Sequence, residues 1–242
     1  MSQFDASSFL DDEQVWRQVL SPTTGDASPA PALFLDRDGV VVEEVHYLHR
    51  AEDCRLIDGA AKVIRETNER GWFAVIVTNQ AGIARGLYGW REFRAVQEKM
   101  FSDLSSLGAR IDAVYACPHH EKGTGVLRHP DHPARKPNPG MLLRAAEALP
   151  IDIERSWIIG DRTSDIEAGK AAGLKGGLQV LTGHGDRAGE VDAALALASN
   201  DFGVQSIPSI AEAPNFIWRD RPGKPDCVRH ASPDKALDPQ PR

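Results

Sequence analysis

The sequence predicts an α/β fold: a three-layer, Rossmann-like arrangement of a mainly parallel sheet with helices on both faces and no large cap domain. Two observations predict it. Short apolar runs alternate with helix-like segments along most of the chain, which is typical of βα units with parallel strands. Acidic residues directly follow two of the apolar runs, and open α/β sheets bind ligands at the carboxyl ends of their strands.

The elements follow one another in a regular order. The apolar runs predict strands over residues 33–36, 73–78, 113–116, 157–160, 178–181 and 202–204, and the segments between and after them predict helices over 60–70, 90–107, 140–149, 166–172 and 188–198. Pro139 and Gly140 open the third of these helices, and Asp165 stands at the start of the fourth. The segments 51–56 and 86–90 leave no room for a large cap insertion.

The chain divides into three parts. Residues 1–30 are predicted to be an extension and linker, with a short helix over 14–20 followed by proline- and serine-containing stretches. Residues 31–218 form the main domain. Residues 219–242 are rich in proline and charge, so we expect a disordered tail. The irregular segment 118–139 carries four histidines, and loops of this length are usually functional or disordered.

The charge, the apolar runs and the cysteines of the sequence argue against several classes of protein. The net charge of −7 argues against nucleic acid or an anionic membrane as the main partner. No apolar run approaches the ~18 residues of a membrane span, and the N-terminus does not resemble a secretory signal. Three scattered cysteines make no disulfide framework, so we expect a protein of the reducing cytoplasm. A monomer is the favoured oligomeric state.

The most informative motif is Asp36-Arg37-Asp38-Gly39, which ends the first apolar run of the main domain. Two carboxylates at a strand end can collect a hard cation, and one of them can also act as a nucleophile. Gly39 is typical of the tight turn that leaves the strand. A plain Asp-Gly turn is the alternative interpretation of these residues.

Two later segments offer groups for a phosphate. The Thr78 hydroxyl and free backbone N–H groups at the end of the second strand can hold phosphate oxygens, and Arg85 can reach a second anionic group. Lys136, held before a proline, provides a fixed positive charge. Taken alone, these segments are better interpreted as a polar turn with a solvated arginine and as a solvated basic turn.

A second acidic motif, Gly160-Asp161-Arg162-Thr163-Ser164-Asp165, follows the apolar run 157–159. Asp161 can complete a magnesium site. Asp165 either supports a site residue or caps the following helix, and the sequence does not distinguish the two roles.

These motifs, in this order, resemble the haloacid dehalogenase-like phosphohydrolases over about residues 32–210. The sequences of residues 78–86, 117–120 and 135–142 resemble those of one subfamily. This subfamily contains D-glycero-D-manno-heptose 1,7-bisphosphate 7-phosphatase and the histidinol-phosphatase domain. The resemblance implies that Asp36 attacks phosphorus and that Asp38 is the general acid and base. It also implies that Thr78 and Lys136 hold the phosphoryl oxygens.

The resemblance further implies a metal site and a substrate-binding set. Magnesium would be held by the Asp36 carboxylate, the Asp38 backbone carbonyl and Asp161, with Asp165 as support. Arg85 and Arg135 would contact the part of the substrate away from the reacting phosphate. The complete substrate-binding set is Glu44, His46, Tyr47, Asn79, Gln80, Arg85, Arg135 and Arg162.

The segment 117–134 departs from the subfamily, many of whose members bind structural zinc there. Cys117 and His119 match the first half of that pattern, but His132 and Ala134 stand where two cysteines would be. Cys117, His119, His132 and one of His120, His129 or Asp131 could still form a degenerate zinc site. We expect a loop without metal, because closed zinc sites need four ligands.

Several functions are compatible with these residues. The first is a magnesium-dependent phosphatase acting on a small phosphorylated sugar, such as heptose bisphosphate. Histidinol phosphate or another small phosphomonoester is the alternative substrate, and removal of terminal phosphates from nucleic acid is disfavoured by the acidic charge. A non-catalytic phosphate-binding protein is disfavoured because every catalytic position holds a competent residue.

Overall fold

The computed structural model describes residues 5–21 and 28–218. The predicted disordered tail, 219–242, and the linker residues 22–27 lie outside the described residues. In the described part of the chain no helix is both long enough and apolar enough to cross a membrane.

Seven strands form one sheet in the order β1-β4-β3-β2-β5-β6-β7. All neighbouring strands pair in parallel except β1 and β4, which are antiparallel. The strands are β1 Trp16–Val19, β2 Ala32–Leu35, β3 Phe73–Asn79, β4 Ala113–Cys117, β5 Trp157–Gly160, β6 Gly176–Val180 and β7 Gly203–Ile207.

Helices cover both faces of the sheet, because the side chains of a strand alternate between the two sides. On β2, Leu33 and Leu35 join one apolar core with α1 and α3, whereas Ala32 and Phe34 join a second core with α4 and α5. The helices are α1 Ala60–Glu69, α2 Ala81–Ala84, α3 Trp90–Ser106, α4 Gly140–Ala148, α5 Thr163–Ala172, α6 Glu190–Leu195 and α7 Pro214–Ile217. The predicted three-layer α/β fold without a large cap is confirmed.

The six predicted strands and five predicted helices are present, with shifted ends. α5 begins at Thr163, three residues before the prediction, and α6 is shorter than predicted at both ends. The short helices α2 and α7 were not predicted; each has only four residues, too few to show a helical apolar period.

The predicted helix over residues 14–20 is wrong. Residues Trp16–Val19 form β1, which pairs with β4 from Trp16 opposite Ala116 to Val19 opposite Ala113. The apolar spacing of so short a segment fits either structure, and the edge of β4 decides between them because it offers unpaired backbone groups. The division of the chain at residues 30 and 218 stays a prediction.

The sheet topology brings the predicted motifs together. β2 lies in the middle of the sheet between β3 and β5. Asp36 follows β2 directly, Thr78 lies at the end of β3 and Asp161 follows β5 directly. The carboxyl ends of three adjacent parallel strands therefore deliver these side chains to one edge, where such sheets bind ligands.

Candidate active site

An open cleft of about 550 Å³ lies at the carboxyl ends of the strands. All but one of the predicted catalytic, substrate-binding and magnesium residues line it; the exception is Arg85. The lining residues among the predictions are Asp36, Asp38, Glu44, His46, Tyr47, Thr78, Asn79, Gln80, Arg135, Lys136, Asp161, Arg162 and Asp165.

Asp36 is held through one of its two oxygens. Oδ1 accepts the backbone N–H of Arg37 at 2.8 Å and lies 2.9 Å from the Lys136 ammonium. No hydrogen bond to Oδ2 occurs in residues 5–21 and 28–218. The side chain keeps 11% of its surface exposed and lines the cleft, so Oδ2 is accessible from the cleft. Its predicted role as the nucleophile stays a prediction.

Lys136 is buried among acceptors. Its ammonium donates to the Val77 carbonyl at 2.7 Å and contacts Asp165 Oδ1 at 2.6 Å in addition to Asp36. Burial alone would lower the pKa of this ammonium, but Asp165 and Asp36 raise it above its usual value. The lysine therefore carries a permanent positive charge beside Asp36.

The backbone of Lys136 is clamped as well. Asn79 Nδ2 donates to the Lys136 carbonyl at 3.0 Å, and Asn79 Oδ1 accepts the Lys136 N–H at 3.1 Å. These reciprocal bonds tie the end of β3 to the segment before α4. Asn79, predicted to bind substrate, thus also has a positioning role for Lys136.

Asp161 is crowded by backbone and has one free oxygen. Oδ2 accepts the backbone N–H of His184 at 2.8 Å, while the buried Oδ1 has no hydrogen-bond partner. A Cβ on Gly39 would lie 2.5 Å from Oδ2, and one on Gly183 only 2.3 Å away. Both glycines also have positive φ angles, of 84° and 63°, so two turns close over this carboxylate without side chains.

Asp165 has both of the roles that the sequence left open. Its Oδ2 accepts the backbone N–H of Arg162 at 3.0 Å, so Asp165 caps α5 from the third helical position, while Arg162 is the N-cap residue itself. Its Oδ1 pairs with Lys136 at 2.6 Å. The two oxygens of Asp165 therefore link the start of α5 to the Lys136 ammonium.

The three carboxylates of Asp36, Asp161 and Asp165 form a cluster. One oxygen from each lies within 4.8 Å of the others. Burial, followed by Asp36 and Asp165, raises the pKa of Asp161. Burial and Asp36 also raise the pKa of Asp165, although Lys136 opposes the shift. The negative charge of the cluster exceeds what Lys136 neutralises.

Asp38 is held by a buried arginine. Arg37, whose side chain is 1% exposed, donates from Nη2 and Nε to the Asp38 carboxylate at 2.9 to 3.2 Å. Gln80 Nε2 adds a bond to Asp38 Oδ2 at 3.1 Å. The guanidinium also donates to Gln97 Oε1 at 3.2 Å and lies 5.3 Å from the Phe93 ring. This bidentate contact fixes the orientation of Asp38.

Thr78 and Gln80 belong to the same network. Gln80 Nε2 donates to Thr78 Oγ1 at 2.8 Å, and the Tyr88 hydroxyl donates to Gln80 Oε1 at 2.6 Å. Gln80 is 2% exposed, so its amide mainly orients Thr78 and Asp38. Its predicted contact with substrate stays a prediction.

Charged groups line the outer cleft. Glu44 Oε1 lies 3.6 Å from His184 Nε2, and burial followed by Asp38 and Asp36 raises the pKa of Glu44 to about 7. Arg162, Arg187 and Arg135 supply positive charge. Arg135 Nη1 donates to the His119 carbonyl at 2.9 Å, which fixes its guanidinium.

Arg85 lies at the rim. Its Nη1 contacts the Tyr47 hydroxyl, and its guanidinium lies 5.4 Å from the Tyr47 ring. Tyr47 lines the cleft and Arg85 does not. The predicted role of Arg85 in substrate binding stays a prediction.

The cleft is also lined by residues that the motifs did not assign to the site, among them Arg37, Tyr88, His184 and Arg187. Arg37 lies inside the first motif, between its two acids. His184 and Arg187 follow β6, whose carboxyl end lies at the same edge of the sheet, so the topology carried the signal. Nothing in the local sequence marks Tyr88.

The segment 118–139 does not gather the predicted zinc ligands. The rings of His119 and His132 stack in parallel, with centroids 3.8 Å apart and planes at 2°. Cys117 is a buried free thiol whose pKa burial raises to about 12. Within the described ranges, the carboxylate cluster is the only group of three or more metal-binding side chains that converge.

A family model described as HAD-hydrolase-like matches residues 133–207. D-glycero-beta-D-manno-heptose-1,7-bisphosphate 7-phosphatase of Rhodopseudomonas palustris is 45% identical over 153 residues, which cover 63% of this chain and 85% of that protein. The chain belongs to the HAD-like phosphohydrolase family. The predicted family and the predicted class of phosphatases are thereby confirmed.

Two solved structures have a fold similar to that of this HAD-like phosphohydrolase. A HAD-like phosphatase structure from Mesorhizobium loti superposes with a TM-score of 0.74 and 36% identity, covering 84% of this chain and 91% of that one. D,D-heptose 1.7-bisphosphate phosphatase from B. bronchiseptica, complexed with magnesium and phosphate, gives a TM-score of 0.66 at 26% identity, covering 79% and 99%.

Proposed function

We propose that this protein is a magnesium-dependent phosphatase that hydrolyses a small phosphorylated sugar through an aspartyl-phosphate. D-glycero-D-manno-heptose 1,7-bisphosphate, converted to heptose 1-phosphate, is the proposed substrate. The observation that carries the proposal is Asp36, whose Oδ1 is bound to Lys136 while Oδ2 accepts no hydrogen bond from the described residues. The similarity to heptose bisphosphatases supports the choice of substrate.

The first half-reaction forms the aspartyl-phosphate. Oδ2 of Asp36 attacks phosphorus, and the bond between phosphorus and the ester oxygen breaks. Asp38, held by Arg37 and Gln80, gives its proton to the departing oxygen. Lys136 and the Thr78 hydroxyl bind the phosphoryl oxygens, where positioning and charge supply most of the catalysis.

The second half-reaction returns the enzyme to its starting state. Asp38, now ionised, removes a proton from a water that attacks phosphorus. The bond between phosphorus and Asp36 Oδ2 breaks, inorganic phosphate leaves and the Asp36 carboxylate is restored. The same side chain therefore acts as acid and then as base, because the two steps need opposite proton transfers.

The residues present fit a magnesium ion. Asp161 Oδ1 is a buried carboxylate oxygen without a hydrogen bond, and the Asp36 and Asp161 oxygens come within 4.8 Å of one another. Oxygen donors of this kind are the ligands that Mg²⁺ prefers. Asp36, Asp161 and the Asp38 backbone carbonyl would hold the ion. When bound, magnesium offsets the negative charge of the cluster and of the phosphoryl group.

The outer cleft favours a substrate with a second anionic group. Arg135, Arg162 and Arg187 line it together with His184, while Glu44 is the acidic group on the same wall. Guanidinium groups bind phosphate with two parallel hydrogen bonds. A bisphosphate offers one phosphate to Asp36 and another to these arginines. Arg85 and Tyr47 would add contacts at the rim.

The test is phosphate release with and without magnesium from a panel of phosphate esters. The panel holds both anomers of heptose 1,7-bisphosphate, histidinol phosphate, other sugar phosphates and a 3′-phosphorylated oligonucleotide. We expect one heptose anomer to exceed the other substrates at least about 100-fold in kcat/KM, or about 2.7 kcal/mol. Equal, weak activity throughout would contradict the proposed substrate.

Matched variants separate the chemistry from the substrate. Asp36→Asn keeps the size of the side chain and removes the nucleophile, so turnover should vanish for every substrate. Asp58→Asn, an exposed aspartate outside the cleft, is the control and should behave as the wild type. Normal turnover by Asp36→Asn would contradict the mechanism.

We further infer that the protein works as a cytoplasmic monomer on a small molecule. Both described cysteines, Cys54 and Cys117, are buried free thiols, as expected in a reducing compartment. Size-exclusion chromatography with light scattering tests the oligomeric state, and a dimer would contradict it.

A further inference from the structure

Residues 5–20, named here the N-terminal strap, are built into the domain. Trp16 is fully buried, and its ring stacks on Phe9 at 4.5 Å between centroids. Trp90 and Phe93 of α3 each lie 5.3 Å from the same ring. This aromatic cluster anchors the strap next to β4, with which its strand β1 pairs.

The strap makes a tight turn that presents Glu13. Asp11 Oδ1 accepts the backbone N–H groups of Glu13 and Val15, both at 3.0 Å. Gln14 adopts a positive φ of 61° within this turn, and Arg17 N–H donates to the Phe9 carbonyl at 2.7 Å. Hydrogen bonds within the strap therefore fix this turn.

The turn lies against the segment 118–139. The Glu13 carbonyl bonds to His119 Nε2 at 2.7 Å, and Glu13 Oε2 lies 3.7 Å from His132 Nε2. Arg144 of α4 pairs with the carboxylates of both Asp11 and Glu13. The strap thus joins the segment 118–139 to the helix that follows it.

These contacts lie in the segment where many members of the subfamily bind a structural zinc. Ala134 has no donor atom, and the His119 and His132 rings are parallel, so their in-plane lone pairs cannot point to one ion between them. His119 Nε2 is bonded to Glu13, and His132 Nδ1 accepts the Ala134 N–H at 3.1 Å. His119 Nδ1 has no partner, but among the described residues no group of three metal-binding side chains converges on it, and a closed zinc site needs four ligands.

We propose that the N-terminal strap fixes the segment 118–139 in place of a structural zinc, and that Glu13 positions the cleft residue Arg135 through His119. The path is continuous, because His119 Nε2 bonds to the Glu13 carbonyl and the His119 carbonyl accepts from Arg135 Nη1 at 2.9 Å. Arg135 lines the cleft beside Lys136. The kinetic part of this inference rests on the proposed function.

Two substitutions at His119 in the full chain test the path. His119→Phe keeps an aromatic ring on His132 but loses the bond to Glu13, whereas His119→Gln retains an N–H donor. We expect KM for heptose bisphosphate to rise about 3- to 10-fold in His119→Phe, as loss of one hydrogen bond suggests, with kcat within about twofold. His119→Gln should restore most of the loss. An unchanged KM in His119→Phe would overturn the positioning role.

A second pair of variants tests the anchoring of the strap. Arg144→Leu removes both ion pairs with the strap, while Arg155→Leu removes an exposed pair with Asp152 and serves as control. Hydrogen exchange should become faster in residues 5–20 and 118–135 of Arg144→Leu and stay unchanged in Arg155→Leu. Equal exchange in the two variants would overturn the proposal.

The metal content of the purified protein shows whether the strap or a bound zinc fixes the segment 118–139. Purified wild-type protein should contain far less than one zinc per chain by plasma mass spectrometry, and a zinc chelator should leave hydrogen exchange of residues 118–135 unchanged. One zinc per chain, lost in both His119 variants, would overturn the proposal. Exchange and metal content need no substrate, so they remain decisive if the enzyme fails to hydrolyse heptose bisphosphate.

Discussion

Lys136 Nζ lies 2.9 Å from Oδ1 of Asp36, the same oxygen that accepts the Arg37 backbone N–H. One oxygen of the carboxylate therefore serves to hold the side chain, and the other is left for chemistry. Asp165, which contacts the same ammonium at 2.6 Å, extends the arrangement to the start of α5. The ion pairs thus connect the carboxyl ends of β2 and β5 through one lysine.

Removal of this lysine should damage both activity and stability. In Lys136→Met, two buried carboxylates lose their cation, and breaking a buried pair in this way typically costs about 3–5 kcal/mol. We expect the free energy of unfolding to fall by an amount of that order and kcat to fall at least about 100-fold. Chemical denaturation and steady-state kinetics measure the two effects.

The matched control is Lys62→Met, which changes an exposed lysine on α1. This variant should change neither the free energy of unfolding nor kcat. If Lys136→Met unfolded at the same denaturant concentration as this control, the buried ion pairs would not have the role assigned to them.

Substitution of Arg37 should impair the role of Asp38 in catalysis and leave substrate binding in the rest of the cleft nearly unchanged. Arg37→Met removes the bidentate contact that orients the general acid and base, so kcat should fall about 10- to 100-fold while KM changes little. Arg91→Met, at an arginine whose side chain is 79% exposed, is the control. A change in KM alone would show that Arg37 binds substrate instead of positioning Asp38.

Substitution of Gly183 should disturb Asp161 by a steric clash, and comparison with Gly71 separates this clash from backbone strain. Gly183→Ala forces a Cβ to within 2.3 Å of Asp161 Oδ2 and requires a strained φ of 63°. Gly71→Ala requires a similar φ of 71°, but no atom lies within 4 Å of its added Cβ. Both should lose about 1 kcal/mol of stability from backbone strain.

In the same pair, only Gly183→Ala should need much more magnesium for half-maximal activity, because only its methyl group displaces Asp161. A magnesium titration of the activity measures this. Equal magnesium requirements in the two variants would contradict the assignment of Asp161 to the metal.

Magnesium affinity should rise with pH. The pKa of Asp161 is raised in the metal-free protein, so part of the population is protonated near neutral pH and must lose that proton to bind the ion. The magnesium concentration for half-maximal binding should therefore fall between about pH 6 and pH 8, by at most about tenfold per pH unit for each proton released. Isothermal titration calorimetry in buffers of different ionisation enthalpy counts the protons, and zero protons released would refute the linkage.

The sequence predicts the centre of the fold better than its edges. The strands that carry Asp36 and Asp161 are buried on both faces, so their apolar runs are unambiguous. β1 was mistaken for a helix because four residues show no period, and its burial depends on Phe9, Trp90 and Phe93, of which the last two are distant in sequence.

Side-chain roles were predictable only where a motif fixes them. Asp165 caps α5 and pairs with Lys136. The pair could be predicted only from the distance between the two loops, and the sequence does not give that distance. Arg37 is polar and stands between two acids, so its complete burial under Phe93 has no local signal. The histidine stack at His119 and His132 likewise depends on Glu13, more than 100 residues away along the chain.

Detection of a phosphoryl group on Asp36 tests the mechanism without reference to the identity of the sugar. Asp38→Asn enzyme, which keeps the nucleophile but lacks the base for the second half-reaction, is mixed with substrate and magnesium, quenched in acid and digested for mass spectrometry. The mechanism predicts one phosphoryl group on the peptide that contains residues 33–40, located at Asp36 and absent from the Asp36→Asn, Asp38→Asn double variant. A phosphoryl group on any other residue, or turnover at the wild-type rate by Asp36→Asn, would contradict it.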